Sequence, residues 1–182
     1  MPTQSADTVT ITEKTNSTLT STSGLSFRRP ALEDGGDMWR LAKATGVLDL
    51  NSSYAYLMWC HDFANTSIVA EVDGEFAGFI TGYIRPASPN TLMIWQVATD
   101  ERFRGRGIAS AMLTELFDQC QVFEGVDRLE TTITADNPAS IGLFTRFAQR
   151  REIPVAREPL FEEQNFPDDH DTEFLYQIGP EN

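Results

Sequence analysis

Apolar and polar positions along this chain switch between two rhythms, and the switches mark out its elements. Residues 1–24 follow neither: Thr and Ser dominate, and large apolar groups are almost absent. Such a segment buries too little surface to offset its ordering entropy. A disordered tail is therefore expected there, followed by one folded domain from 25 to 182. Alternation begins at Leu25-Ser26-Phe27-Arg28, a short strand that Pro30 closes. Met38-Trp39 and Leu41-Ala42 then recur at helical spacing until Gly46, and Ser52 is a good N-cap for a second helix through Phe63.

Ser67 to Val72 and Glu75 to Tyr83 are strand-like runs separated by Asp73-Gly74, a dipeptide that favours a tight hairpin. A loop from Pro86 to Asn90 is expected to precede the strand Leu92 to Ala98. A helical stretch from Ile108 to Cys120 and a strand from Leu129 to Thr134 come next. Asn137-Pro138 then opens a helix running to about Gln149. The pattern closes with strands Val155 to Phe161 and Glu173 to Ile178, around the acidic loop Pro167 to Asp171. The order β-α-α-β-β-β-α-β-α-β-β predicts an α/β (α+β) fold, a mixed and mainly antiparallel sheet flanked by four helices.

Composition removes several functions. A chain of 182 residues can build one domain with a real core, and its formal net charge of −13 argues against nucleic acid or an anionic membrane as partner. Cys60 and Cys120 both sit in apolar, helix-like context and read as buried free thiols rather than a disulfide. No run approaches the roughly 18–20 apolar residues of a membrane span, and no signal-peptide pattern is present, so a cytoplasmic protein is expected. With only His61 and His170, and no paired cysteines, no metal site is expected.

Against that acidity stands the run Arg102-Phe103-Arg104-Gly105-Arg106-Gly107-Ile108-Ala109, between a strand and a helix. Two glycines one residue apart allow a tight turn and leave the first helical amides open to an anion. A dinucleotide-binding turn would need a third glycine where Ser110 stands, and a P-loop would need Lys-Ser/Thr where Ile108-Ala109 stand. The local charge fits a small phosphate-bearing ligand.

Together the Ser67–Tyr83 hairpin, Trp95-Gln96-Val97-Ala98-Thr99, the R-x-x-G-x-G turn and Asn137-x-x-Ser140-x-x-Leu143-Phe144 resemble the GCN5-related N-acetyltransferase superfamily over essentially Leu25 to Ile178. Four further stretches resemble its diaminobutyrate-acetylating branch of ectoine biosynthesis: Leu48 to Tyr56, Ile94 to Ala98, Leu129 to Thr134 and His170-Asp171. The resemblance implies splayed central strands, acetyl-CoA as co-substrate, a small-molecule amine as acceptor and a homodimer. It implies that Val97, Ala98 and Thr99 offer main-chain groups to the pantetheine arm. The amides of Arg104, Gly105, Arg106, Gly107, Ile108 and Ala109 would hold the pyrophosphate, and Asn137 and Ser140 would border the arm.

The acceptor side is less determined. The superfamily often places a Tyr acid where this chain has Phe144, which cannot give a proton; Ser140, Tyr54, Tyr56 or water remain open as sources. Glu130 is expected to share a strand face with Thr132 and to act as base toward the amine. Asp49 and Glu130 would hold ammonium groups, Trp95 would offer a π face, and Asn51 and Thr132 would offer neutral hydrogen bonds. Tyr54 would orient or shuttle protons, and His170 would bond the substrate carboxylate or help remove a proton. Each has a plainer reading: helix entry for Asp49, core packing for Trp95 and Tyr54, a solvated edge for Glu130, a surface loop for His170. An acetyltransferase for another amine or a protein N-terminus, and a non-catalytic acyl-CoA-binding regulator, stay open at this point.

Overall fold

The computed structural model describes residues 24–180, so the expected tail lies outside the described residues except for Gly24. The described chain forms β1 (Leu25–Arg28), α1 (Gly35–Thr45), α2 (Ser53–His61), β2 (Ile68–Val72), β3 (Glu75–Arg85) and β4 (Ser88–Thr99). It continues with α3 (Ile108–Glu124), β5 (Arg128–Thr134), α4 (Pro138–Arg151), β6 (Val155–Phe161) and β7 (Glu173–Ile178). The order of elements is the one the hydrophobic pattern predicts. The strands form one sheet in the order β1-β2-β3-β4-β5-β7-β6, antiparallel throughout except for β4 against β5.

Local chemistry explains the boundaries. Asp73 and Gly74 both take positive φ, the geometry that lets a two-residue turn match strand twist between β2 and β3. Ser52 caps α2 by accepting from the Ala55 N–H, and Asn137 caps α4 by accepting from Ser140 N–H, with Pro138 at its first position. One expectation fails: Pro86 to Asn90 is not a loop. Only Pro86-Ala87 turn, and β4 already starts at Ser88. Pro89 is tolerated because it falls in an irregular stretch of the β3 register, before β5 begins to pair at Thr91.

The helices cover opposite faces of the sheet. Leu113, Leu116 and Phe117 of α3 and Leu143, Phe144 and Phe147 of α4 pack against Ile80, Leu92, Ile94, Leu129 and Ile133. Met38 and Ala42 of α1 and Tyr56 and Cys60 of α2 pack against Val69, Phe79 and Ala98 on the other side.

Two departures from regular pairing shape β4. Thr81 of β3 opposes Gln96, but Gly82 opposes Ile94, so Trp95 is an extra, bulged residue. A one-residue slip reverses side-chain parity. Ile94 points to the α3/α4 core, whereas Ala98 joins the α1/α2 core. Past the bulge, β4 also loses β5: their pairing runs only from Thr91–Arg128 to Ile94–Thr131. The strands part there, and the wedge between them is the feature on which the site is built.

At the far end, Arg28 of β1 holds Asp34 through two nitrogens (2.6 and 2.8 Å) and Glu71 of β2 through Nε (2.7 Å), tying the first strand to the entry of α1. Burial opposes ionisation of Asp34, but the bonds from Arg28 and the Ala31 N–H outweigh it and hold the carboxyl below its usual range. A depressed carboxyl stabilises the fold above its ordinary pKa of about 4, and that contribution disappears as pH falls through the lower folded value. Asp34→Asn should therefore cost about 1–2 kcal/mol at pH 7, because Arg28 is 34% exposed and keeps Glu71. In acid denaturation followed by circular dichroism, the variant should lose less further stability than the parent protein below about pH 4.

Candidate active site

The wedge opens into two cavities that share a wall. The first, about 520 Å³, is bordered by Val97, Ala98 and Thr99 of β4, the turn Arg104-Gly105 with Gly107, the first residues of α3, and Asn137, Ser140 and Arg146 of α4. The second, about 310 Å³, lies on the β5–β7 side, among Asp49, Trp95, Thr132, Phe144, Phe166, His170 and Glu173. Val47, Leu48, Val97, Asn137 and Ser140 border both, so two ligands could meet across them. A larger hollow of about 580 Å³ runs beside α1, but two of its arginines are already paired, Arg40 with Asp37 and Arg102 with Asp100 and Glu75.

The first cavity is built for a phosphate-bearing, peptide-like molecule. Gly105 and Gly107 both have φ of +77°, with open space where a side chain would stand, so the backbone itself forms the surface. Gly107 caps α3 without a side-chain acceptor, and Ile108, Ala109 and Ser110 border the cavity at that end. An uncapped helix start concentrates N–H donors and positive dipole on an anion. Beyond Ile94 the β4 edge facing β5 has no strand partner among the described residues, which leaves main-chain groups for an extended arm. The Thr99 hydroxyl is buried with no hydrogen-bond partner among the described residues, and Asn137 spends only its carbonyl oxygen on the α4 cap. Coenzyme A fits this set: phosphates for the turn, amides for the strand edge. Arg106 alone of the expected cofactor residues stays off the cavity wall; its guanidinium stands 5.7 Å from the Phe103 ring centre.

The second cavity gathers charge. His170 stacks on Phe166 (4.1 Å between ring centres, 13° between planes), and its Nε2 lies 3.8 Å from both Asp49 and Glu173. The Asp171 carbonyl, accepting from Nδ1–H, raises the pKa of His170 further than its slight burial lowers it, and Glu173 and Asp49 add to the rise. Burial pushes the Glu173 carboxyl up as well, against the opposing pull of His170 and a bond from Thr132. Its Oε2 is buried without a partner among the described residues. Trp95, 51% exposed because the bulge turns it outward, is backed by Trp59 at 6.5 Å.

Asp49, Trp95, Thr132 and His170 thus come together, but three expected acceptor residues do not join them. Glu130 has the expected strand parity yet sits two residues too early, opposite Met93 where β4 and β5 are still paired. It is buried, and its oxygens are taken by Arg85 (2.6 Å) and Gln177 (3.3 Å). Tyr54 is 69% exposed on α2 and borders neither cavity. Asn51 lies beside the Tyr56 hydroxyl rather than on the cavity wall. A residue not singled out from the sequence, Glu173, lines the cavity with Asp49 and His170. Its signal was the His170-x-x-Glu173 spacing, which turns both side chains toward Asp49 once β7 pairs Glu173 with Thr134.

A match to the acetyltransferase (GNAT) family model covers residues 37–148. The chain belongs to that family. It is 51% identical over 154 residues to an L-2,4-diaminobutyric acid acetyltransferase of Nocardia farcinica, spanning 85% of this chain and 79% of the relative. It is 52% identical over 158 residues to the Streptomyces coelicolor protein of the same name, spanning 86% and 93%. Among solved structures, the diaminobutyrate acetyltransferase EctA from Paenibacillus lautus, in complex with its substrate L-2,4-diaminobutyric acid and coenzyme A, superposes with a TM-score of 0.81. That pair is 40% identical, over 86% of this chain and 95% of the other. This chain uses the co-substrate of its acetyltransferase family, acetyl-CoA. Among the described residues no cluster of three or more His, Cys, Asp or Glu is placed to hold a metal, and no helix is long and apolar enough to cross a membrane.

Because the turn works through its backbone, Gly107→Val should force a positive-φ strain and weaken coenzyme A binding at least tenfold by calorimetry. Thermal stability should change by no more than the roughly 1–2 kcal/mol of that strain. Unchanged affinity would remove the turn from the binding surface.

Proposed function

We propose that this chain transfers the acetyl group of acetyl-CoA to the 4-amino group of L-2,4-diaminobutanoate, giving N4-acetyl-L-2,4-diaminobutanoate for ectoine synthesis. The observation that carries the reading is the pair of carboxylates, Asp49 and Glu173, with His170 between them, facing the coenzyme A cleft across the parted strands. The substrate is a short zwitterion with two ammonium groups and one carboxylate. A small cavity with two carboxyl groups, an imidazole whose pKa is raised and an exposed indole face is complementary to that charge pattern.

Glu173 serves as the base. Its free Oε2 takes the proton from the terminal ammonium, and a raised pKa brings the carboxylate closer to that task than an ordinary Glu. The freed nitrogen attacks the thioester carbonyl carbon. A C–N bond forms, the C–S bond breaks with its electron pair leaving on sulfur, and the nitrogen's second proton passes to that thiolate. Main-chain N–H groups at the open edge of β4 are placed to stabilise charge on the carbonyl oxygen. Phe144, buried and without a hydroxyl, cannot protonate the departing sulfur, so that proton passes through Ser140, on the wall both cavities share, or through water. Asp49 and Trp95 hold the second ammonium, and His170 holds the carboxylate.

The same reading makes the enzyme a cytoplasmic homodimer in a cell under osmotic stress. The exposed edge strand β6, with Val155 41% and Phe161 49% accessible, supports a surface that a second copy covers.

Thiol release measured with diaminobutanoate, ornithine and lysine, with NMR of the product, tests the assignment. Diaminobutanoate should lead by at least tenfold in kcat/KM, acetylated at N4; equal rates on all three would overturn it, and coenzyme A binding without turnover would favour a regulator. Glu173→Gln should lower kcat by about 100-fold or more at pH 7. Since Glu173 must be ionised to accept a proton, the parent rate should fall as pH drops through its raised pKa. The variant should lack that acid limb.

A further inference from the structure

The bulge that turns Trp95 toward the acceptor cavity also turns the next side chain, Gln96, the opposite way, under α2. Gln96 is only 5% exposed, and its amide is used at both ends. The Tyr56 hydroxyl donates to Oε1 (3.1 Å), and Nε2 donates to the main-chain carbonyl of Asp49 (2.8 Å). Its own main-chain N–H donates to the Thr81 hydroxyl (3.1 Å), which fixes the strand at the bulge. Asn51 lies beside the same Tyr56 hydroxyl, with its Nδ2 buried and without a hydrogen-bond partner among the described residues. The connection from α1 to α2 that carries Asp49 has no regular secondary structure of its own from Val47 to Ser52. Its polar tie to the sheet is the Gln96 amide.

We infer that Gln96, backed by Tyr56, is a positioning residue that sets where the Asp49 carboxylate hangs over the amine cavity. The physical reason is registry. Trp95 and Asp49 border the same cavity but come from a strand and a loop 46 positions apart in sequence. Joining the Asp49 carbonyl to the residue next to Trp95 locks indole and carboxylate into one frame. A glutamine is suited to this, because it accepts from a buried phenol and donates to a carbonyl while carrying no charge into the core. An apolar residue at 96 would leave the loop without a tie to β4, held by packing, by the Thr45 hydroxyl that accepts from the Val47 and Leu48 N–H groups, and by the 3.8 Å approach of Asp49 to His170. The selectivity part of this inference rests on the acetyltransferase reading above; the mechanical part, pinning of the loop, does not.

Three variants separate the parts. Gln96→Met removes the tie but strands the Tyr56 hydroxyl, so the paired variant Gln96→Met/Tyr56→Phe, which removes both polar partners, guards against simple misfolding. Tyr56→Phe alone keeps the bond to Asp49 and serves as the control. Hydrogen exchange of the free protein should show amides between 47 and 52 exchanging about tenfold faster in both Gln96 variants, and little changed in Tyr56→Phe. With acetyl-CoA and diaminobutanoate, both Gln96 variants should raise the amine KM about tenfold while the acetyl-CoA KM moves less than twofold. Unchanged exchange in the paired variant would overturn the pinning. Faster exchange with equal rises in both KM values, or a fall in kcat alone, would overturn the positioning role. No turnover of diaminobutanoate by the parent protein would overturn the substrate assignment instead, with the exchange experiment still deciding whether Gln96 holds the loop.

Discussion

The structure depends on one broken ladder. β4 and β5 are hydrogen-bonded for four residue pairs and then part, and both ligand cavities lie along the opening. Parting two strands in the middle of a sheet exposes main-chain donors and acceptors that would otherwise be satisfied, which is a cost unless something else satisfies them. Here an extended arm of the co-substrate has the chemistry to do so. The bulge at Trp95 starts the parting, because the extra residue removes β4 from the register that β5 could follow.

Much else can be read as support for that opening. α3 returns the chain across the sheet from β4 to β5, and its start delivers unsatisfied amides to one end of the wedge. α4 enters with Asn137 and Ser140 on the wall between the two cavities. The last strand, β7, pairs with the far side of β5 and brings Glu173 opposite Thr134, just past the point where β5 leaves β4. The acceptor site is therefore assembled from segments distant in sequence and united by the sheet, whereas the coenzyme site is largely one contiguous strand–turn–helix.

That difference explains what was legible in the sequence. The turn from Arg102 to Ala109 declared itself, since positive-φ glycines and an uncapped helix start are local properties. The order of elements was legible for the same reason, through alternation, the Asp73-Gly74 turn and caps at Ser52 and Asn137. Glu130 shows where local reasoning stops. Its strand parity was read correctly, but the point at which β4 leaves β5 depends on tertiary pairing, and two residues of depth separate an ion-paired wall residue from an open-site one. Tyr54 falls on the exposed side of α2 for a similar reason, since which turn of a short helix meets the sheet is set by tertiary packing; Tyr56, two residues on, is the buried one. Glu173 escaped notice because nothing within its own strand distinguishes it from a solvated edge residue.

The uncapped start of α3 has a consequence beyond catalysis. A helix whose first donors are left to a ligand is complete only when that ligand is present, so occupancy and folding are linked quantities. At a coenzyme concentration a hundred times the dissociation constant, the native state gains about 2.7 kcal/mol over the unfolded chain. Resistance of the folded chain to unfolding therefore rises with coenzyme concentration, most steeply at the wedge that the ligand completes.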